Sequence, residues 1–178
     1  DGRTFEIIKE HLEQRLGYSF HYQVVKASDH GLPQHRARVF MVGFRKDFSK
    51  LNSTQLPEFS FPQPVPLTMT MSDVWEGECS RKVGFTLRVG GKGSGLNDRR
   101  NWDGYLVDGI ERRLTVKEGK KMMGFPDDFS FPVSKTQAMK QLGNSVAVNA
   151  VKATANKILA YLDENKSLFL SSVCKNAA

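Results

Sequence analysis

The chain is organised around residues 114–129, which read LTVKEGKKMMGFPDDF. Thr115 is followed three positions later by Glu118, a capping box in which each side chain bonds the backbone N–H of the other residue. Gly124 supplies the left-handed residue that ends a helix, and Pro126 prevents the helix from continuing. The stretch therefore predicts a short helix with both ends fixed, a pattern that an ordinary surface helix would also show.

Length and charge bound the architecture and the class of partner. A chain of 178 residues can form one core or divide into a core and a smaller lobe, and we predict two lobes. The formal net charge of +7 and the pI near 9.5 suit a polyanionic partner. Charge alone does not decide, because many basic proteins bind no nucleic acid specifically.

Cysteine usage and hydropathy exclude several classes of protein. Cys79 and Cys174 lie far apart without metal-ligand spacing, so we expect neither a disulfide framework nor a metal site, and a reducing cytoplasm fits. No apolar run approaches the length of a transmembrane span, so no membrane contact is expected. The start lacks both an initiator methionine and a signal peptide, which favours a C-terminal piece of a longer protein, or a processed or engineered fragment.

Helix and strand periodicities alternate at the beginning of the chain. The first pattern predicts a helix that Thr4 caps and Gly17 ends. Residues 20–25 alternate with strand period, and the apolar run at 39–44 predicts a strand buried on both faces. Strands of this second kind lie inside a sheet that helices cover.

Two arginines precede the second predicted strand. Arg36 and Arg38 lie two residues apart, so an extended backbone turns both guanidinium groups to one face. They are either two solvated arginines beside a strand or a pair of donor forks that holds an anionic or carbonyl-bearing ligand.

The middle of the chain is less regular. The prolines of residues 51–67 predict a linker, and Ser72 can cap a short helix after it. Residues 81–89 can form a basic strand, and Asp108 with Gly109 predicts a tight hairpin turn.

A glycine run at residues 90–95 follows the basic strand. It is no dinucleotide fingerprint, because no apolar helix follows it, and it lacks the Gly-Lys-Ser/Thr of a phosphate loop. It is either a recognition loop that approaches DNA closely or a plain flexible loop. The candidate DNA contacts in this region are Arg81, Arg88, Lys92, Arg99 and Arg100.

Two helices are predicted near the end of the chain. Ser134 caps the first, with Gln137 completing a second capping box, and Gly143 ends it. Asn144 begins the second, and its unpaired N–H groups would attract an anion. The second helix carries a continuous apolar stripe expected to face a core, formed by Val148, Val151, Ala155, Ile158, Leu159 and Leu162.

Three segments resemble conserved blocks of the DNA cytosine-5 methyltransferases, in family order. Residues 31–38, GLPQHRAR, resemble the eighth block, residues 112–127 the ninth, and residues 141–146, QLGNSV, the tenth. The resemblance covers nearly the whole chain and identifies it as the C-terminal part of a bacterial-type member.

This resemblance implies an α/β fold: the C-terminal part of a Rossmann-like methyltransferase sheet with an inserted, mostly β or irregular target-recognition lobe. Residues 1–45 would be C-terminal strands and a helix of the catalytic domain. Residues 46–111 would be the target-recognition domain, and residues 112–178 the return helices that complete the catalytic domain.

The resemblance also implies roles for residues of the eighth block and the recognition segment. Arg38 would donate to O2 of a cytosine flipped out of the duplex. Arg36 and Gln34 would brace the catalytic loop and the nearby backbone. Thr86, in a Thr-Leu pair typical of family recognition domains, would contact the DNA backbone near the flipped nucleotide.

In the tenth block, Asn144 and Ser145 would border the methionine end of S-adenosylmethionine, most of which a missing N-terminal part would bind. The family uses the cysteine of a Pro-Cys motif to attack C6 of cytosine and the glutamate of a Glu-Asn-Val motif at N3. Neither motif occurs here, since Cys79 follows Glu78 and Cys174 follows Val173. The chain alone is therefore expected to be inactive.

Three functional hypotheses remain. The first is the C-terminal part of a DNA cytosine-5 methyltransferase of a restriction-modification system, acting on double-stranded DNA in the bacterial cytoplasm. The second is a separately encoded DNA-binding subunit that acts only with a catalytic partner. The third, RNA methylation, fits less well with a long basic insert suited to duplex readout.

Overall fold

Helices and short strands alternate in this computed structural model, which describes residues 2–46, 56–90 and 93–169. A π-helical turn at His11–Arg15 follows the first helix, and a 3-10 turn at Ala27–Asp29 follows the first strand. The named elements are α1 (Arg3–Glu10), β1 (His21–Lys26), β2 (Ala37–Val42), α2 (Met71–Trp75), β3 (Gly104–Val107), β4 (Ile110–Arg113), α3 (Val116–Met123), α4 (Lys135–Asn144), α5 (Val148–Glu164) and α6 (Lys166–Phe169).

The chain is α/β, as predicted, with two two-stranded sheets, β1–β2 and β3–β4. It forms two compact units. Unit 1 contains residues 1–24, 39–62 and 154–178, and unit 2 contains residues 25–38 and 63–153. The functional boundaries predicted at residues 46 and 112 stay a prediction.

Helix α3 has the two ends that its sequence predicts. Oγ1 of Thr115 accepts from the backbone N–H of Lys117, and the backbone N–H of Thr115 donates to the Glu118 carboxylate at 2.9 Å. Gly124 ends the helix with a left-handed φ of 77°. Met122 and Met123 are fully buried in the core of unit 2, so a helix with fixed ends also presents a large apolar face.

The β3–β4 hairpin also agrees with the prediction. Its strands pair antiparallel, with Val107 opposite Ile110, and the turn residues Asp108 and Gly109 both have positive φ, 51° and 75°. This is the backbone that a two-residue hairpin turn requires.

Several predicted boundaries are wrong by a few residues. Helix α1 starts before Thr4, because the carbonyl of Gly2 accepts the N–H of Glu6 at 2.9 Å. Helix α2 is capped by Thr70 rather than Ser72, through a capping box with Asp73. The strand predicted at residues 81–89 is not a named strand; Gly84 makes an isolated bridge there.

Strand β2 is not buried on both faces, which corrects the prediction. Val42 is buried, but Val39 is 50% exposed and Met41 is 41% exposed. Tyr22 and Val24 on β1 are exposed to a similar degree. The two strands form a sheet of two, so within the described residues no further strand extends it.

The buried face of α5 also differs from the predicted stripe. Ala150, Thr154 and Tyr161 are buried, whereas Val151 and Leu159 are 44% and 64% exposed. The predicted stripe members Val148 and Ile158 are partly buried, and Ala155 and Leu162 are exposed.

In unit 1, the packing of one aromatic side chain decides which side of α5 is covered. The ring of Tyr161 stacks on Phe44 at 4.4 Å, and its hydroxyl donates to the carbonyl of Pro57 at 2.8 Å. His21 packs against the same cluster, and burial lowers the pKa of its imidazole. A stripe of aliphatic residues contains no information about such a partner.

Candidate functional site

Within unit 2, residues 33–36 run beside residues 84–87. The N–H of Gly84 donates to the carbonyl of Pro33, and the N–H of His35 donates to the carbonyl of Gly84, both at 2.9 Å. The hydroxyl of Thr86 donates to the carbonyl of His35. The pairing brings the predicted site residues of two distant segments together.

Gln34 is fully buried and joins this pair of segments to α3. Its Nε2 donates to the carbonyl of Met122 at 3.3 Å and lies 3.2 Å from the sulfur of Met123. Its Oε1 accepts from the backbone N–H of Leu87 at 3.4 Å. A primary amide suits this position because it has both donors and an acceptor.

Arg36 lies at the centre of the site, with 3% of its surface exposed. Its Nη1 donates to the carbonyl of Leu87 at 3.1 Å, and its Nη2 donates to the carbonyl of Gly143 at 2.9 Å and to that of Ser145. A single guanidinium therefore connects the eighth-block segment, the segment before the glycine run and the end of α4.

The charge of Arg36 is compensated by backbone dipoles. Burial, together with the positive charge of Arg38, lowers the pKa of Arg36 to about 10. Gly143 and Ser145 lie at the C-terminal end of α4, where helix carbonyls favour a cation. Arg36 therefore stays charged at neutral pH.

Arg38 differs from Arg36 in being exposed. Its Nη1 donates to the carbonyl of Ala37 at 2.7 Å, within its own segment. Arg38 is therefore the member of the pair whose remaining donors are open to a ligand.

The end of α4 is tightly packed, and the prediction for Gly143 and Asn144 was wrong. A Cβ on Gly143 would lie 2.9 Å from the backbone C and O of Arg88, so glycine is needed for this close approach and does not end the helix. Helix α4 ends at Asn144 and α5 starts at Val148. Asn144 therefore lies at a helix C-terminus, which repels anions.

The tenth-block residues differ in how free their side chains are. The Asn144 side chain is exposed. The hydroxyl of Ser145 donates to the carbonyl of Leu142 at 2.8 Å, and its carbonyl accepts from Arg36. Of the two, Asn144 has the side chain that a ligand can reach without breaking a bond.

The predicted DNA contacts fall into distinct environments. Arg88 and Arg99 are exposed. Arg81 lies over the ring of Phe85 at 4.1 Å, and Arg100 is paired with Asp98. The remaining candidate, Lys92, lies outside the described residues.

Buried polar side chains anchor the loop after the glycine run. Nε1 of Trp102 donates to the carbonyl of Gly90 at 2.9 Å. Oδ1 of Asp103 accepts from the N–H of Gly93 at 3.3 Å, and Asp103 forms an ion pair with Arg113 at the same distance. These contacts hold residues 93–104 from the buried side, and the choice between a recognition loop and a plain flexible loop for residues 90–95 stays open.

Sequence reasoning missed these anchors. Nη1 of Arg113 donates to the carbonyl of Ser94 at 2.8 Å, and Nδ2 of Asn101 donates to that of Leu96 at 3.3 Å. The available signal was the Asn101-Trp102-Asp103 run, where buried polar residues precede the β3 strand. Polar residues next to a tryptophan at the start of a strand are candidates for side chains that hold a loop.

The described part of the chain contains neither a membrane-spanning helix nor a cluster of metal ligands. No helix there is long and apolar enough to cross a membrane. Nor do its His, Cys, Asp and Glu side chains gather into a group of metal ligands. The site consists of arginines, amides and backbone groups.

Comparisons with known proteins agree with the resemblance. The model of the C-5 cytosine-specific DNA methylases matches residues 1–89 and 86–160. The type II methyltransferase M.SsoII of Shigella sonnei is 36% identical over 193 residues, covering 91% of this chain and 50% of that protein. M.HhaI of Haemophilus parahaemolyticus is 30% identical over 197 residues, covering 89% and 58%. The chain spans about half the length of the curated relatives it matches.

Solved structures show the same fold. The Spodoptera frugiperda DNMT2 variant superposes with a TM-score of 0.58 at 15% identity, covering 92% of this chain and 62% of that chain. The S. pombe Dnmt2 methyltransferase gives a TM-score of 0.56 at 14% identity, covering 92% and 64%. At such identities the likeness concerns the fold alone.

Proposed function

Because this chain belongs to the family of C-5 cytosine-specific DNA methylases, we propose that it is the part of a type II restriction-modification methyltransferase that recognises duplex DNA and lines one side of the base pocket. The complete enzyme, in this proposal, methylates C5 of a cytosine flipped out of the duplex, in the bacterial cytoplasm. The observation that carries the proposal is the convergence of three segments on Arg36.

In the proposed mechanism Arg36 and Arg38 have different roles. Arg36 uses Nη1 and Nη2 on backbone carbonyls, so it positions the pocket and does not bind the base. Arg38 is exposed and donates to O2 of the flipped cytosine. Gln34 holds the pocket wall through its bonds to Met122 and Leu87.

Thr86 contributes to the pocket in a way that depends on DNA. Without DNA, its hydroxyl donates a hydrogen bond to the carbonyl of His35. Because a phosphate oxygen only accepts, a hydrogen bond from Thr86 to the DNA backbone near the flipped nucleotide would replace that bond. Thr86 therefore connects the recognition segment to the Gln34–Arg38 block before DNA binds.

This chain offers S-adenosylmethionine only part of a site. The oxygen of the exposed Asn144 amide can accept from the ammonium of the methionine end, a cation that the C-terminal end of α4 also favours. Ser145 contributes less, because its hydroxyl and carbonyl are already engaged. When bound, the cofactor supplies the methyl group.

The chain by itself is proposed to be inactive. No Pro-Cys or Glu-Asn-Val motif is present. Cys79 follows Glu78, not a proline, and packs, half-buried, against the core of unit 2. The nucleophile then comes from an N-terminal part of the same polypeptide or, as the alternative, from a separately encoded catalytic subunit. Pro-Cys and Glu-Asn-Val codons upstream in the same reading frame would identify a single polypeptide, and a second gene carrying them would identify a split enzyme.

Methyl transfer to duplex DNA by the complete enzyme tests the proposal. Arg38→Ala should lower kcat about 100-fold, the loss typical of one donor aimed at a reacting group. Arg15→Ala, an exposed arginine in the π-helical turn, is the matched control and should retain full activity. Full activity of Arg38→Ala, or preference of the wild-type enzyme for transfer RNA over duplex DNA, would contradict the proposal.

A further inference from the structure

Arg100 lies in the anchored loop of residues 93–104, and Asp98 holds its guanidinium. Nε of Arg100 lies 3.1 Å and 3.2 Å from the two carboxylate oxygens, and Nη2 lies 2.7 Å from Oδ2. The backbone N–H of Arg100 also donates to Oδ1 of Asp98 at 2.8 Å. The carboxylate therefore fixes the position and the plane of a side chain that is 75% exposed.

The backbone that carries this pair is fixed as well. The N–H of Asp98 donates to the carbonyl of Gly95 at 2.9 Å, and the N–H of Asn101 donates to the carbonyl of Asp98 at 2.8 Å. The buried amide of Asn101 donates to the carbonyls of Leu96 and Gly104 at 3.3 Å and 3.0 Å. An arginine on such a support loses little freedom when it binds a ligand.

The donors left on Arg100 have a defined shape. A guanidinium carries five N–H donors, and Asp98 occupies the one on Nε and one on Nη2. Both donors on Nη1 and one on Nη2 remain. The outward-pointing donor of Nη1 and the remaining donor of Nη2 form a parallel fork at the outer end of the side chain. This fork matches O6 and N7 of guanine in the major groove.

Arg100 differs from Arg88 and Arg99 because an ionised carboxylate balances its charge. Hydrogen bonding to Arg100 lowers the pKa of Asp98 to about 2, so the carboxylate is ionised at neutral pH and offsets the positive charge of the arginine. A neutralised pair attracts phosphate weakly. Arg88 and Arg99 are exposed and have no ion-pair partner within the described ranges, so their full charge is available to phosphates.

We propose that Arg100, oriented by Asp98, reads a guanine edge of the target site, whereas Arg88 and Arg99 bind phosphates. This assignment rests on the proposed recognition of duplex DNA and names the residue that determines specificity. Asp98 is a positioning residue in it, because it acts on DNA only through Arg100.

The test uses the complete enzyme and a library of duplexes with a randomised central window, in which methylated molecules are sequenced. Arg100→Ala should reduce the preference for guanine at one position of the target about tenfold or more. In the double variant Asp98→Ala with Arg100→Ala, which removes both charges of the pair, the salt dependence of binding, measured by titrating labelled duplex at several salt concentrations, should stay unchanged. Arg99→Ala is the matched control: its target should be unchanged, and its salt slope should fall by about 0.9.

Asp98→Asn separates orientation from charge. It keeps the shape of the side chain but leaves the charge of Arg100 unbalanced. The preference for guanine should fall, while binding to duplexes of unrelated sequence tightens and the salt slope rises by about 0.9. A merely structural Asp98 would weaken binding to all sequences instead, and that result would overturn its positioning role.

The outcomes distinguish this inference from the function on which it rests. If the wild-type enzyme methylates no duplex, the proposed function is overturned. If it methylates a defined target that Arg100→Ala leaves unchanged, only the assignment of Arg100 is overturned. The same holds if Arg100→Ala weakens binding equally for all sequences, since that is the behaviour of a phosphate contact.

Discussion

Arg36 and Arg100 place the same side chain in opposite environments. Arg36 is 3% exposed and donates to backbone carbonyls of three residues, whereas the side chain of Arg100 is 75% exposed and is held by one carboxylate. A buried guanidinium has to satisfy its donors within the protein. An exposed one keeps part of its fork for a ligand. The comparison shows that burial decides whether an arginine uses its donors within the fold or keeps some of them open to a ligand.

Burial of the Arg36 guanidinium has a free-energy cost that the exposed guanidinium of Arg100 does not have. Among the described residues the Nε of Arg36 has no hydrogen-bond partner, and its guanidinium is in none of the ion pairs. The carbonyls at the end of α4 offset this cost, because a helix C-terminus is the favourable end for a cation. The position of Arg36 therefore depends on α4 ending where it does.

Removing the buried arginine should have the largest effect on stability. Arg36→Ala leaves the carbonyls of Leu87, Gly143 and Ser145 without their donor, and we expect a loss of about 3 kcal/mol or more in the free energy of unfolding. Urea unfolding of the 178-residue chain, followed by circular dichroism, measures it.

Arg38→Ala is the control for that measurement, because Arg38 is exposed and, within the described ranges, bonds only to the neighbouring Ala37 carbonyl. Its unfolding midpoint should stay near that of the wild type. If Arg36→Ala also kept the wild-type midpoint, the buried guanidinium would not be what holds the three segments together. Arg36→Lys should fall between the two, since an ammonium keeps the charge but lacks the planar fork.

A smaller effect is expected at the contact beneath the arginine. Gly143→Ala places a Cβ 2.9 Å from the backbone of Arg88, and the end of α4 has to move away. We expect destabilisation of about 1–3 kcal/mol by overpacking, measured in the same urea titration. Gly95→Ala is the control, because a Cβ there meets nothing within 4 Å. Equal midpoints for the two variants would contradict the close approach.

The smallest effect on stability should come from the exposed pair. Asp98→Ala removes the carboxylate that holds Arg100, but both side chains are accessible to solvent, and exposed ion pairs contribute little to folding. The unfolding midpoint should therefore not change measurably, even though the preference for guanine falls. A clear drop in stability would mean that Asp98 supports the loop and that the contrast between the two arginines is one of degree.

Local signals in the sequence predicted elements whose ends are fixed by near neighbours. Thr115, Glu118 and Gly124 define both ends of α3, and Asp108 with Gly109 defines the β3–β4 turn. Ser134 caps α4 by accepting the N–H of Gln137 at 3.3 Å. In each case the residues that fix the element lie close together along the chain, so the physical cause is contained in a short stretch of sequence.

Predictions about burial succeeded less often. The apolar run of β2 was expected to be covered on both faces, yet Val39 and Met41 are exposed. In α5, Leu159 is exposed while Tyr161 is buried against aromatic rings. Hydrophobicity indicates which residues gain from burial but not which surfaces are present to cover them.

The candidate site shows the same contrast between local features, which the sequence predicts, and contacts between distant segments, which it does not. The Gln34–Arg38 pattern is readable as a block, but its partners Leu87, Gly143 and Ser145 are 51 to 109 residues away. Asn144 was assigned to the wrong end of a helix, because Gly143 resembles a helix terminator and is in fact required by the backbone of Arg88. The polar side chains that anchor the loop of residues 93–104 gave only a weak signal in the sequence.

The sequence by itself determined the family, the α/β class, the capped helix α3 and the hairpin, because motifs and caps act through residues close along the chain. Only the tertiary structure decided which arginine is buried and which is exposed, which face of α5 is covered, and what holds the loop that carries Arg100. These features depend on side chains meeting across long sequence separations, where a carbonyl, a ring or a missing Cβ at one site determines the role of a residue at another.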